Sequence, residues 1–148
     1  MPSLRRQARS FAVQILYQTD VTPPAEAAQV SPADLERFWS AQKSSVKVRR
    51  FAENLVTETL TQHEAIDTAL ANALEEWRLE RLPVPVRAIL RLATCELLHI
   101  CEAPRGAVIN EAVELTRDFV DEDSARFVNA VLDKLPAPEA PQSPAPKG

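Results

Sequence analysis

Apolar residues recur along most of this chain at the three-and-four spacing of amphipathic helices. The first stripe runs from Leu4 to Leu16, and a second helix begins after a capping serine, Ser31, and a first-turn proline, Pro32. That second helix turns Phe38 and Trp39 inward. Two more stripes follow, with a break in phase near positions 62 and 63. Each stripe predicts a separate helix.

The second half of the chain has the same periodicity. The fourth helix is expected to end on an inward-facing Trp77, and the stripe from Val86 to Ile100 predicts the central helix of the core. Two further helices follow, the last entered through Asp123 and Ser124. Because no segment shows sustained period-two alternation, we predict an all-α fold: a compact bundle of about six or seven helices in two small subdomains.

Proline marks the segments expected to lie outside the helices. Thr22–Val30 is predicted to be an exposed connection, and the chain after Leu135 reads PAPEAPQSPAPKG. Such a segment has too few apolar groups for their burial to offset the conformational entropy that the chain would lose on becoming ordered. We therefore predict a helical domain over residues 1–135 and a disordered Pro/Ala-rich tail over residues 136–148.

The composition excludes several classes of protein. Only two of the 148 residues are glycine, Gly106 and Gly148, whereas phosphate-binding loops and nucleophile elbows need glycines in close succession. We expect no enzyme, no catalytic residue and no cofactor. No apolar run has the length of a membrane span or of a secretory signal, which predicts a cytoplasmic protein without a membrane partner.

Two cysteines and one histidine lie close together on the predicted central helix. Cys95 and His99 are four residues apart, but zinc usually needs four ligands, and no second pair at motif spacing is present. We expect no metal site. Cys95 and Cys101 are predicted to be reduced, buried, small apolar residues.

A basic strip is predicted on the first helix. The first nineteen residues contain no acidic residue, although the formal net charge of the chain is -4. At about 100° per residue, Arg5 and Arg9 flank the apolar stripe, and Arg6, Val13 and Tyr17 line up just beyond them. Guanidinium groups beside an aromatic ring suit single-stranded RNA. The alternative is a solvated helix face that happens to be basic.

Several motifs then occur in an order typical of one family. They are RRQAR at residues 5–9, LRLA at 90–93 with EL at 96–97, VINEAVELT at 108–116, EDS at 122–124 and FVNAVLDK at 127–134. From about Leu4 to Leu135 the chain resembles the NusB family. Gln7 stands where some relatives extend the arginine run, and the proline-rich tail is outside the family pattern.

The resemblance implies an all-helical fold of two small bundles and a role in antitermination during ribosomal RNA transcription. It implies binding of boxA RNA together with the small-subunit ribosomal protein that acts as NusE, within the RNA polymerase antitermination complex. The residues carried over by position are those of the first helix, Arg5, Arg6, Arg9 and Tyr17. The start of the last helix supplies a second patch, Asp123, Arg126 and Phe127. Apolar spacing alone places Phe127 in the core instead, so both assignments stay open.

Two other functions compete with this interpretation. The chain also resembles the RNA-binding accessory portion of RNA cytosine methyltransferases, which continue into a glycine-rich cofactor domain that this sequence lacks. It could instead be a helical adaptor whose arginines contact an acidic protein. An exposed apolar helix face would suit either a homodimer or the ribosomal partner.

Overall fold

The computed structural model describes residues 3–20 and 31–138. These residues form helices and contain no strand, which confirms the prediction of an all-α fold. In chain order the helices are α1 Leu4–Asp20, α2 Pro32–Ser40, α3 Val46–Thr61, α4 His63–Leu74, α5 Val84–Cys95, α6 Arg105–Phe119 and α7 Glu122–Asp133. The predicted connection Thr22–Val30 and most of the predicted tail lie outside the described residues.

Side-chain caps begin four of the described helices, and at the start of α1 the Ser3 hydroxyl accepts a hydrogen bond from the Arg6 N–H at 3.1 Å. The Ser31 hydroxyl accepts a hydrogen bond from the Asp34 N–H at 3.1 Å, as the sequence predicts for the start of α2. Ser45 caps α3 in the same way. The start of α7 differs from the prediction, because the cap is Asp121, whose Oδ1 accepts from the Ser124 N–H at 2.8 Å. The last helix therefore begins earlier than predicted, and Asp123 lies within its first turn.

The helix predicted from Val86 to Ile100 changes its winding near its end. Residues Glu96–Ile100 form a π-helical turn, and the Cys101 N–H donates to the Glu96 carbonyl, five residues back, at 2.9 Å. Cys101 itself has a positive φ of 57°. The wider turn shifts the phase of the side chains, so Cys95 is buried as predicted whereas Cys101 is exposed. The prediction of burial was wrong for Cys101.

Helix α5 lies at the centre of the fold. It packs against α1 and α3 on the N-terminal side and against α4, α6 and α7 on the C-terminal side. Ile89 and Leu90 of α5 are almost fully buried, in one apolar core that joins the two groups of helices. The central position predicted for this helix is confirmed.

Trp77 does not lie where the apolar pattern places it. Helix α4 ends at Leu74, and the chain then passes through a short 3-10 turn, Leu79–Arg81, before α5. Trp77 belongs to this connection and is 59% exposed. The prediction that it faces inward was wrong, because the helix ends before its period can bring the ring to the core.

Among the described residues, no helix is long and apolar enough to cross a membrane.

Candidate nucleic-acid interface

The arginines of the predicted basic strip lie in the first two turns of α1. This helix packs against α3 and α5 through a face that includes Ala8, Ala12 and Ile15, all buried. The small side chains allow close contact between the helices. The position of each arginine around the helix then decides whether it points to solvent or to the core.

Arg5 lies at the edge of the contact between α1 and α3. Its guanidinium carbon is 4.4 Å from the centre of the Phe51 ring, in a cation–π arrangement, and one of its nitrogens is 3.9 Å from a carboxylate oxygen of Glu102. The Arg5 side chain remains 47% exposed. It is held in place and can still reach an anion in solvent.

Arg6 makes a two-pronged ion pair with α6. Its Nε and Nη2 donate to the two carboxylate oxygens of Glu111 at 2.9 and 3.0 Å. The hydrogen bonds from Arg6 hold the pKa of the Glu111 carboxyl below its ordinary value. Arg6 therefore has a firm partner within the protein, although its side chain is partly exposed.

Arg9 occupies a different environment from the one predicted. It is only 7% exposed, and its Nε and Nη2 both donate at 2.8 Å to the carboxylate of Glu96, which is also buried. The expectation that Arg9 lies on the flank of α1, free to meet a phosphate, was wrong. Arg9 lies next to the apolar stripe of α1, as predicted. However, α5 and the π-helical turn that follows it pack over this side of α1 and bury the Arg9 side chain.

The predicted line of Arg6, Val13 and Tyr17 is also interrupted. Val13 is 1% exposed and belongs to the core, whereas Tyr17 is 43% exposed. Tyr17 follows Arg6 by roughly 16 Å along the helix axis, at 1.5 Å per residue. The aromatic ring is accessible but does not lie beside the arginines.

The three arginines of α1 are thus all paired with carboxylates from the C-terminal half of the chain. Their partners are Glu102, Glu111 and Glu96. The amino-acid sequence shows the excess of positive charge on α1. It could not identify acidic partners that lie 87 and 105 residues away from Arg9 and Arg6.

The second predicted patch lies at the start of α7. Asp123 and Arg126 are brought together, with Arg126 Nη1 at 2.8 Å from Asp123 Oδ1, and their side chains are 90% and 70% exposed. An exposed pair of this kind adds little to stability. Both groups are therefore available to a ligand at little cost to the fold.

The Phe127 side chain lies between the apolar core and the exposed ring of Trp77. It is partly buried and packs against the apolar core, and its ring centre lies 5.7 Å from that of Trp77 in an edge-to-face arrangement. The two assignments left open for Phe127 are therefore compatible. Sequence reasoning missed Trp77 as a surface residue, since only its position beyond the last turn of α4 could have indicated exposure.

Helix α6 connects the two patches. Its Glu111 holds Arg6 of α1, and the helix packs along α7, where its Arg117 pairs with Glu122. Arg6 and the start of α7 are therefore both positioned by the same helix.

No metal centre appears in the parts of the chain that the structure describes, because no three His, Cys, Asp or Glu side chains are grouped to hold an ion. Burial raises the pKa of the Cys95 thiol to about 12, although its hydrogen bond with Thr59 opposes the shift. Such a thiol is a poor metal ligand and a poor nucleophile at neutral pH.

The chain is similar in sequence to known proteins of one family. Transcription antitermination proteins NusB from Bacillus mycoides and Lysinibacillus sphaericus are 37% and 40% identical to the chain over 131 residues, which is 88% of this chain and 95% of each relative. The corresponding protein of Desulfotalea psychrophila is 39% identical over 137 residues.

Solved structures are similar over the same region. T. maritima NusB superposes with a TM-score of 0.74 and 28% identity, covering 90% of this chain and 91% of that one. A crystal structure of the antitermination factors NusB and NusE in complex with double-stranded RNA gives a TM-score of 0.73 and 27% identity, over 90% and 96% of the two chains. The NusB family model matches residues 6–136. Since that match spans the seven described helices, α1 to α7, except for the first two residues of α1, the chain belongs to the NusB family.

Proposed function

We propose that this protein is an RNA-binding transcription antitermination factor that recognises boxA RNA of ribosomal RNA transcripts together with the ribosomal protein acting as NusE. The observation that carries the proposal is the match to transcription antitermination proteins over nearly nine-tenths of the chain. The shared fold with NusB in its complex with NusE and RNA supports the choice of partners. The protein acts in the cytoplasm by binding, within the RNA polymerase antitermination complex, and has no catalytic step.

The RNA-facing surface in this proposal combines the two patches. Its members are the accessible polar and aromatic side chains predicted from the sequence: Arg5, Arg6, Tyr17, Asp123, Arg126 and Phe127. Arg9 is left out as a phosphate contact because it is buried against Glu96. Its role is to hold α1 against the π-helical turn that follows α5, so that the neighbouring arginines are presented at the surface.

Internal ion pairs explain why such a surface would bind RNA weakly by itself. A phosphate that approaches Arg5 or Arg6 must compete with Glu102 or Glu111, and either carboxylate also repels it. The net charge of -4 adds an unfavourable long-range field. A partner that adds cationic surface beside the patches would raise the affinity through simultaneous contact.

The test measures binding of labelled boxA RNA by fluorescence anisotropy at several salt concentrations, with and without the ribosomal partner. Replacing Arg5 and Arg126 together by glutamine should lower the slope of log affinity against log salt by about 0.7 for each lost phosphate contact. Arg37→Gln is the matched control, because Arg37 is an exposed, ion-paired arginine on α2, outside the proposed surface. Its salt slope should equal that of the unaltered protein.

A helical adaptor that binds only protein gives a different result. In that case the protein would bind the ribosomal partner, yet RNA affinity would be absent in every mixture and the arginine variants would weaken only the protein complex. Equal RNA affinity with and without the partner would contradict the paired-factor proposal.

A further inference from the structure

We propose that Trp77 and Phe127 form a two-ring platform on which one unstacked base of single-stranded RNA stacks, with Trp77 supplying the open face. This inference rests on the proposed function and adds a residue to its RNA-facing surface. The rings are 5.7 Å apart between centres, with planes at 78°, so the edge of one ring supports the face of the other. A base bound there would meet an aromatic corner already formed before the RNA arrives.

The exposure of Trp77 is a fixed feature of the fold. Leu74 before it and Leu79 and Leu82 after it are all buried, and the Trp77 N–H donates to the Leu74 carbonyl at 3.0 Å. The segment is therefore anchored on both sides of the ring. By contrast, Trp39 is only 6% exposed. Trp77 is also in contact with the Phe127 ring, so it belongs to an aromatic pair and is not a single apolar side chain scattered on the surface.

An unusual backbone conformation directs the chain toward α7. Glu75 has φ 58° and ψ -103°, and it is one of two non-glycine residues with positive φ in the described part of the chain. Such conformations cost free energy and persist where the surrounding structure holds them. The Glu75 carboxylate pairs at 3.3 Å with the Lys134 ammonium at the end of α7. This turn allows Trp77 to lie against Phe127.

Each ring has an exposed arginine next to it in the sequence, which favours RNA as the ligand. Arg126 is one residue from Phe127 and Arg78 is one residue from Trp77, and both side chains are 70% exposed. Each is paired with a single exposed carboxylate close in sequence, an arrangement that a phosphate can displace at low cost. An accessible aromatic face on a chain segment that also carries exposed arginine is the combination used for single-stranded nucleic acid, where bases stack on aromatic rings and phosphates pair with arginine.

The experiment compares Trp77→Leu, which removes the aromatic face but keeps apolar bulk, with Trp77→Phe, which keeps an aromatic face. The probe is a short single-stranded boxA RNA, with the ribosomal partner present. Trp77→Leu should weaken binding about 5- to 150-fold with no change in salt slope, and Trp77→Phe should retain most of the affinity. Val46→Ala is the control for an exposed apolar side chain elsewhere, since Val46 is 69% exposed on α3, and it should leave affinity unchanged. All three variants should melt within about 2 °C of the unaltered protein.

Abasic substitution identifies the stacked base. One abasic position in the RNA should weaken binding to the unaltered protein but cause no further loss in Trp77→Leu, because the two changes remove the same contact. The emission of Trp77 should also be quenched on binding, and the remaining emission should come from the buried Trp39.

Three results overturn the platform, and they differ in what they leave standing. If Trp77→Leu binds RNA as tightly as the unaltered protein while the Arg5 and Arg126 variant still has a lower salt slope, the platform is wrong and the proposed function remains. If Trp77→Leu binds RNA as tightly as the unaltered protein without the ribosomal partner, but its RNA affinity no longer rises when the partner is added, Trp77 contacts the partner protein and not the RNA. If the unaltered protein binds no RNA even with the partner, the proposed function fails and the platform fails with it.

Discussion

Removal of Arg9 should severely destabilise the protein, although the sequence pattern placed this residue on an exposed flank. Arg9 and Glu96 have side chains only 9% and 8% exposed, and two hydrogen bonds of 2.8 Å join them. In Arg9→Ala the Glu96 carboxylate would remain buried without a partner. Breaking a buried pair in this way costs about 3 to 5 kcal/mol, whereas loss of an exposed pair costs about 0 to 1 kcal/mol.

The magnitude is large relative to the whole fold. The free energy of unfolding of natural domains is roughly 5 to 15 kcal/mol, so the substitution would remove a substantial fraction of it. With roughly 2 to 5 °C of melting temperature per kcal/mol for a chain of this size, a loss of about 3 to 5 kcal/mol in Arg9→Ala should lower Tm by about 6 to 25 °C. Urea denaturation followed by circular dichroism gives the free energy of unfolding, and a thermal melt gives Tm.

Two further variants separate burial of a lone charge from loss of packing. Arg9→Met combined with Glu96→Leu removes both charges but keeps apolar volume, so the double variant should be within about 1.5 kcal/mol of the unaltered protein. Arg6→Ala removes a more exposed arginine from the same helix and should cost much less than Arg9→Ala. If Arg9→Ala is as stable as Arg6→Ala, the argument from the buried ion pair is refuted.

Three other predictions follow from local chemistry. With a thiol reagent at pH 8, Cys101 should react promptly, whereas Cys95 should react only after denaturation, because burial raises its pKa to about 12; two equally fast thiols would contradict this. An NMR titration should find the pKa of Glu111 below that of a free glutamate. Because the pKa is lower in the folded state, the ion pair of Glu111 should contribute fully to stability above the unfolded-state pKa, and this contribution should be lost as pH falls through the folded-state pKa. Substitution of its partner Arg6 should raise the pKa of Glu111 toward its ordinary value. Ser45→Ala should cost about 1 kcal/mol in urea denaturation through loss of the α3 cap, and the neighbouring Ser44→Ala should cost less than about 0.5 kcal/mol; equal costs would rule out the cap as the cause.

Local rules accounted for most of the helical framework. The apolar spacing predicted the order of the helices, and the break near residues 62 and 63 is where α3 gives way to α4. Ser31 and Pro32 marked the start of α2 because capping and first-turn geometry depend only on neighbouring residues. Periodicity also identified α5 as central, since a helix with a broad apolar face must be covered on several sides.

Local rules failed where a helix changed its winding or ended. The π-helical turn after Cys95 moved Cys101 to the surface, and the end of α4 at Leu74 left Trp77 outside the helix. Both residues fit the period of the preceding stripe. Neither position could be read from that period, because an angle of 100° per residue has meaning only while the same winding continues.

The candidate RNA surface shows the same division between local and long-range causes. The excess of arginine on α1 is visible in the amino-acid order, and so is the motif order that resembles the NusB family. Whether Arg5, Arg6 or Arg9 faces solvent depends on helices from the other half of the chain, which supply Glu102, Glu111 and Glu96. A sequence lists charges one after another, but the free energy of a charge depends on its burial and its nearest partner, and tertiary packing decides both.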